Sequence, residues 1–227
     1  MLQLYIGNKN YSSWSMRPWV LLRQAGIEFE EVMVRFDGFD QDSIFKQTMQ
    51  AITPVSQVPV LVHDGLTIWD TLAIAEYVAE LFPQKNLWPI QPAQRARARS
   101  VCAEMHSGFG AFRSAFPMNI EANLPEMGAL SLRDKPEVRA NLNRVVTMWS
   151  ELLSEHGGPM LFGEFCIADA YFAPMVMRIK TYALSVPAEV AGYVERVSEL
   201  PGVKDWIQGA LAEQDFRDFE EPYRLHR

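Results

Sequence analysis

The chain has 227 residues, 48% of them hydrophobic and 22% charged, with 13 Gly and 14 Pro. That balance describes a folded protein of one large or two small domains and excludes a disordered or collagen-like chain. A net charge of −7, from 28 acidic and 21 basic residues, argues against a general phosphate-binding surface and so against a nucleic-acid partner. The two cysteines, Cys102 and Cys166, lack the pairing of a disulfide framework, a redox CxxC or a zinc site. The opening MLQLYIGNKNYSSW holds no basic segment followed by an apolar run, and no apolar stretch approaches the roughly 18–20 residues of a membrane span. A cytoplasmic protein with no membrane association is the expectation.

In chain order, Leu2–Ile6 is a short apolar strand that stops at the turn-forming Gly7-Asn8. Residues 13–25 carry Pro18 near the start and Gly26 just past the end, the asymmetry of a helix. A second strand is predicted over 29–34 and a weaker helix over 43–50. Val58-Pro-Val-Leu-Val, the turn His63-Asp64-Gly65 and Leu66-Thr-Ile-Trp69 read as a β-hairpin. Leu72, Ala75, Val78 and Leu81 then share one helix face. This order implies a small α/β unit with a mixed sheet.

Three prolines between Pro83 and Pro92 mark a linker, which divides the chain into domains at 1–82 and 93–227. Beyond it strand patterns disappear. Residues 93–116 read as one long helix ended by Pro117, 118–131 as an irregular loop, and 136–156 as the clearest helix, with Gly157 after it. Three shorter helices are expected near 167–182, 188–199 and 202–213.

Three segments carry candidate chemistry. Asn10-Tyr-Ser-Ser-Trp-Ser-Met-Arg17 places hydroxyls at a helix N-terminus, where unpaired amides and the helix dipole favour an anion. The same hydroxyls also suit helix capping, the commoner use. Val58-Pro59 opens a strand with a proline that forfeits a ladder bond. A cis bond there, a minority geometry, would turn the Val58 amide and carbonyl outward toward an extended peptide. In Trp69-Asp-Thr-Leu-Ala-Ile74, an acid and a hydroxyl at a helix start suit either ordinary capping or the grip on an amino-acid end.

In their order and spacing, together with an all-helical second half, these segments resemble the soluble glutathione transferases over essentially the whole chain. The hydroxyl-rich turn is most similar to the Ser-using theta, delta and zeta-like classes. The resemblance implies an N-terminal thioredoxin-like α/β domain with a mixed four-stranded sheet, an all-α C-terminal domain covering an electrophile, glutathione as co-substrate and a homodimer. By this likeness Ser13, four residues before Arg17, is the donor to the glutathione sulfur. Ser12 competes for that role, because the Ser-Ser-x-Ser run echoes zeta sequences, and Tyr11 stands third. Val58 matches the residue that pairs its backbone with the cysteinyl part, Asp70 and Thr71 the pair holding the γ-glutamyl end, and Gln57 and Lys46 the glycyl end. Thr71 stands where Ser is commoner, keeping the hydroxyl.

Glu164-Phe-Cys-Ile-Ala-Asp169 is similar to the family's helix-capping element, with Cys166 at the hydroxyl position. Asp169 is read as structural and Cys166 as buried packing. Met105, Phe109, Phe112 and Met175 form a core stripe by default, whereas Arg113 and Arg178 are candidates to meet an anionic co-substrate. His63, His106, His156 and His226 lack ligand spacing, so no metal is expected. The leading function is glutathione transfer to a small electrophile. The alternatives are cis–trans isomerisation of a maleyl-type diacid, despite Trp14 where zeta enzymes commonly carry Cys, and a binding protein without turnover. Disulfide reduction is disfavoured, since residues 1–101 contain no Cys.

Overall fold

The computed structural model describes all residues, 1–227. Strand β1 (Leu2–Ile6) buries Leu2, Leu4 and Ile6 on one side, the period of two that a half-buried strand requires. It pairs in parallel with β2 (Glu30–Met33), and α1 (Ser13–Gln24) supplies the crossover that a parallel pair needs. After α2 (Ile44–Gln50), β3 (Val60–His63) runs antiparallel to β1 and pairs with β4 (Leu66–Trp69), setting Val60 opposite Trp69 and Leu61 opposite Ile68. Asp64 and Gly65 join them at φ of 49° and 86°, the left-handed pair that a tight hairpin turn demands and Asp-Gly supplies. The sheet order is β2-β1-β3-β4, a mixed four-stranded sheet. Helix α3 (Thr71–Leu81) closes this α/β unit.

All remaining regular structure is helical: α4 (Pro92–Ser107), α5 (Gly110–Ala115), α6 (Pro125–Asp134), α7 (Pro136–His156), α8 (Ile167–Thr181), α9 (Ala188–Ser198) and α10 (Pro201–Glu213). Two segments depart from the sequence reading. The single helix expected over 93–116 is broken at Gly108-Phe109. Gly108 is extended, Phe109 takes φ of 57°, and a Cβ at Gly108 would lie 2.6 Å from the Glu104 carbonyl oxygen. The loop expected over 118–131 instead holds the start of α6. Pro125 opens that helix and Glu126 lies in its first turn, both favourable there.

Helix α8 is buried along nearly its whole length and packs against α1, α4 and α9. One continuous hydrophobic core therefore runs from Leu4, Ile6 and Met16 through Phe112, Trp149 and Phe172 to Trp206. The expected stripe of Met105, Phe109, Phe112 and Met175 is buried within it. A smaller cluster of Tyr11, Val34, Phe36, Phe45, Met49 and Val60 packs α2 against the sheet. No helix is long and apolar enough to cross a membrane.

Candidate active site

A cavity of about 550 Å³ is lined from both units: Tyr11–Trp14 at the tip of β1–α1, Lys46 and Val58 from the α/β unit, and Arg113, Arg178 and Glu220 from the helical one. A second cavity of about 390 Å³ shares Trp14, Gln57 and Val58 with it and adds Trp69, Asp70, Thr71 and His106. The two form one elongated cleft, and every site residue expected from the sequence lines it.

Within the cleft the hydroxyls differ. Ser12 precedes α1 but makes no side-chain cap; its Oγ lies 2.7 Å from Ser15 Oγ, which in turn accepts from the Gly7 amide at 3.2 Å. The Tyr11 hydroxyl donates to Glu221 at 2.7 Å and accepts from the Arg217 amide. Burial and that carboxylate push the phenol up to about 12. The Ser13 hydroxyl has no partner within the chain; only its carbonyl is engaged, accepting from Arg17 Nη1 at 3.0 Å. The amides of Trp14 and Ser15 take no part in backbone hydrogen bonding. The turn thus holds a free hydroxyl and free amides at the positive end of a twelve-residue helix.

Beneath this turn Arg17 is almost fully buried. Its Nε donates to the Tyr171 carbonyl at 2.9 Å, its Nη2 has no partner, and its guanidinium lies 4.0 Å from the Trp14 ring centre. Burial lowers its pKa to about 9, and no carboxylate offsets the charge. Arg113 and Arg178 bond only to carbonyls, of Gly108, Phe116 and Pro174. Burial lowers both as well. The floor of the larger cavity is therefore cationic.

In the smaller cavity the Val58–Pro59 bond is cis, and the Val58 amide and carbonyl take no part in the chain's backbone pairing. Asp70 accepts from the Leu72 amide at 2.9 Å, its other oxygen lying 3.3 Å from His106 Nε2. Thr71 is buried with its Oγ1 2.6 Å from the Tyr171 hydroxyl, which is also 3.1 Å from His106 Nδ1. So the Thr71 hydroxyl is already engaged. Lys46 Nζ donates to the Ser56 carbonyl at 3.0 Å, whereas Gln57 is exposed.

The sequence reading passed over three residues here: His106, Tyr171 and Glu220. None carries a local signal: His106 and Glu220 reach the cleft from distant elements, and Tyr171 is buried behind it against Thr71 and His106. The reading of Asp169 holds, since its carboxylate accepts from the Cys166 amide at 2.9 Å, the Leu161 amide at 3.1 Å and the Tyr193 hydroxyl at 3.0 Å. Cys102 and Cys166 are buried, and burial raises both thiols.

A thioredoxin-like α/β unit joined to a helical one, with a hydroxyl-lined cleft at their junction, defines the class. A family model described as "Glutathione S-transferase, N-terminal domain" matches residues 11–81. The chain is 27% identical to glutathione S-transferase 1 of Dianthus caryophyllus, covering 95% of this chain and 90% of that one. It is 28% identical to maleylacetoacetate isomerase of Rattus norvegicus over 81% and 80% of the two chains. A glutathione transferase homologue from Burkholderia, solved with bound glutathione, superposes with a TM-score of 0.69 at 27% identity, over 93% of this chain and 98% of the other. Residues 11–81 thus match the N-terminal domain of the glutathione S-transferases, and the likeness over most of the chain is to glutathione transferases and maleylacetoacetate isomerases.

Proposed function

We propose that this protein is a glutathione transferase that holds the glutathione sulfur as a thiolate at Ser13 and presents it to a small electrophile in the 550 Å³ cavity. The carrying observation is the unpartnered Ser13 hydroxyl beside the free amides of Trp14 and Ser15. A free thiol has a pKa of about 8.5 and is mostly protonated at neutral pH, yet the thiolate is the nucleophile. Lowering that pKa by roughly two units requires about 2.7 kcal/mol, within the range of one or two charge-assisted hydrogen bonds plus a helix end. Ser13 acts as a donor and forms no covalent bond. Ser12, tied to Ser15, supports the turn.

The tripeptide lies along the cleft, its cysteinyl backbone pairing with Val58 and its γ-glutamyl ammonium meeting Asp70. Because Tyr171 occupies the Thr71 hydroxyl, Thr71 offers its amide rather than its Oγ1 to the carboxylate. Gln57 and Lys46 flank the glycyl end. The reading includes a division into 1–82, a linker at 83–92 and 93–227, a cytoplasmic location and no metal. It also includes a homodimer, for which the exposed Val55, Leu66 and Trp69 give an apolar contact surface.

A second reading, glutathione-dependent cis–trans isomerisation of a maleyl-type diacid, draws on Arg113 and Arg178, whose charges meet no carboxylate. Tryptophan fluorescence tests the common premise. Trp14 and Trp69 line the cleft, so millimolar glutathione is expected to change their emission. An unchanged emission, together with no calorimetric binding, overturns the proposal. Turnover of a chlorinated nitroaromatic supports transfer, whereas turnover of a maleyl diacid alone supports isomerisation.

A further inference from the structure

Glu220 occupies an unusual place in the cleft. It ends a short turn, Asp218–Glu220, in the segment that follows α10 and crosses back over the α/β unit. Arg35 pairs with Asp215 at 2.7 Å, Phe219 sets its ring on Phe39 at 5.4 Å, and Glu221 accepts from Tyr11 and Asn119. These contacts hold the segment down. Glu221 is fully engaged, with Arg224 as a further partner. The Glu220 carboxyl makes no hydrogen bond and no ion pair, and it lines the same cavity as Ser13, Arg113 and Arg178. Burial, then the neighbouring Glu221 charge, raises its pKa to about 7. The other charged or titratable groups around this cavity are Tyr11, Lys46, Arg113 and Arg178.

A partnerless carboxyl that lines one cavity with two arginines, neither of which meets a carboxylate, suits a reaction that needs both a proton and a site for negative charge on oxygen. Displacement of a halide by a thiolate needs no proton, because the leaving group departs with the electron pair. Addition to an electron-poor double bond needs both. We propose that Glu220 donates the proton that completes addition of the glutathione thiolate to an α,β-unsaturated carbonyl compound. The inference rests on the transferase reading above.

In the step, the sulfur forms a bond to the β-carbon while the C=C π bond breaks. Its electron pair moves through the α-carbon to the carbonyl oxygen, where Arg113 and Arg178 face the developing charge. The Glu220 carboxyl proton passes to the α-carbon, giving the neutral thioether and a Glu220 carboxylate. A proton from solvent restores the acid, balancing the one that left the thiol on ionisation.

The test compares two reactions of the full-length protein with glutathione: addition to trans-4-phenyl-3-buten-2-one and displacement of chloride from 1-chloro-2,4-dinitrobenzene. In Glu220→Gln the ratio of addition to displacement kcat/KM is expected to fall by about tenfold or more, with Glu220→Asp recovering part of it. In the wild type that ratio is expected to decline as pH rises through about 7, and Glu220→Gln to abolish the decline. A ratio that stays within about twofold in Glu220→Gln overturns the proposal, as does a wild type that displaces chloride but adds nothing to the enone. If the wild type fails in both reactions, the transferase reading falls and takes this inference with it.

Discussion

At Ser13 a free hydroxyl, two free amides and a buried cation converge on a few ångströms of cleft. The Ser13→Ala variant is expected to raise the pKa of bound glutathione by about one to two units while leaving its affinity nearly intact, because the tripeptide's ends are held elsewhere. Titration of the thiolate's ultraviolet absorbance in the bound complex measures the shift. Ser12→Ala is expected to move that pKa less and stability more, since the Ser12 hydroxyl bonds to Ser15 and Ser15 bonds to the Gly7 amide. The reverse ranking moves the donor one residue back. Hydroxyls at this helix start were visible in the sequence; which of them remained free was not. Tyr11, Ser12 and Ser13 are adjacent letters, but their partners are Glu221, Ser15 and none.

The helices make sharper demands than their propensities suggest. Gly128 lies buried inside α6, and a Cβ there would meet the Tyr182 carbonyl oxygen at 2.0 Å. Alanine gains roughly 1 kcal/mol in helix propensity, yet the obstacle is backbone and cannot swing aside. Gly128→Ala is therefore expected to be net destabilising in urea unfolding; a stabilised variant would contradict the close approach. At the start of α8, burial raises Asp169 to about 6, above the ordinary carboxylate value of roughly 3.9. The folded state thus holds this proton more tightly than the unfolded chain. Its contribution to stability is complete below about pH 4 and is lost as pH rises through about 6, a change on the order of 3 kcal/mol. Unfolding free energies across that window are expected to slope downward in the wild type relative to Asp169→Asn. Parallel slopes would mean that Asp169 is ionised throughout.

Across the whole molecule, the segment after α10 fastens the two units together through Asn8–Asp215, Arg35–Asp215 and Tyr11–Glu221, and anchors its own end to the helical unit through Arg227–Glu121. Most of these pairs are at least partly exposed and individually weak, but Glu221 is buried and bonds to three residues. Removing residues 215–227 is expected to cost about 2 kcal/mol or more, lowering Tm by roughly 4–8 °C for a chain of this size. It also frees the Tyr11 hydroxyl toward the cleft. Differential scanning calorimetry checks the first effect. An unchanged Tm would show that the segment rests on the surface without bracing it.

The architecture was legible along the chain because its signals are local. Period-two and helical spacing, Asp64-Gly65 between two strands, and Gly26 or Gly157 after helix ends are properties of neighbouring residues. Residues 93–116 were misread because a helical apolar pattern continues across Gly108-Phe109, and only packing in three dimensions shows the backbone turning there. The sequence by itself determined the order of elements, the hydroxyl-bearing helix start and the acid at the start of α3. Tertiary structure alone decided which hydroxyl is free, that Tyr171 takes the Thr71 oxygen, that three arginines meet without counter-charges, and that Glu220 lines the cavity. Each of these depends on contacts between residues far apart in the chain, and burial and competition for hydrogen-bond partners exist only once those residues meet.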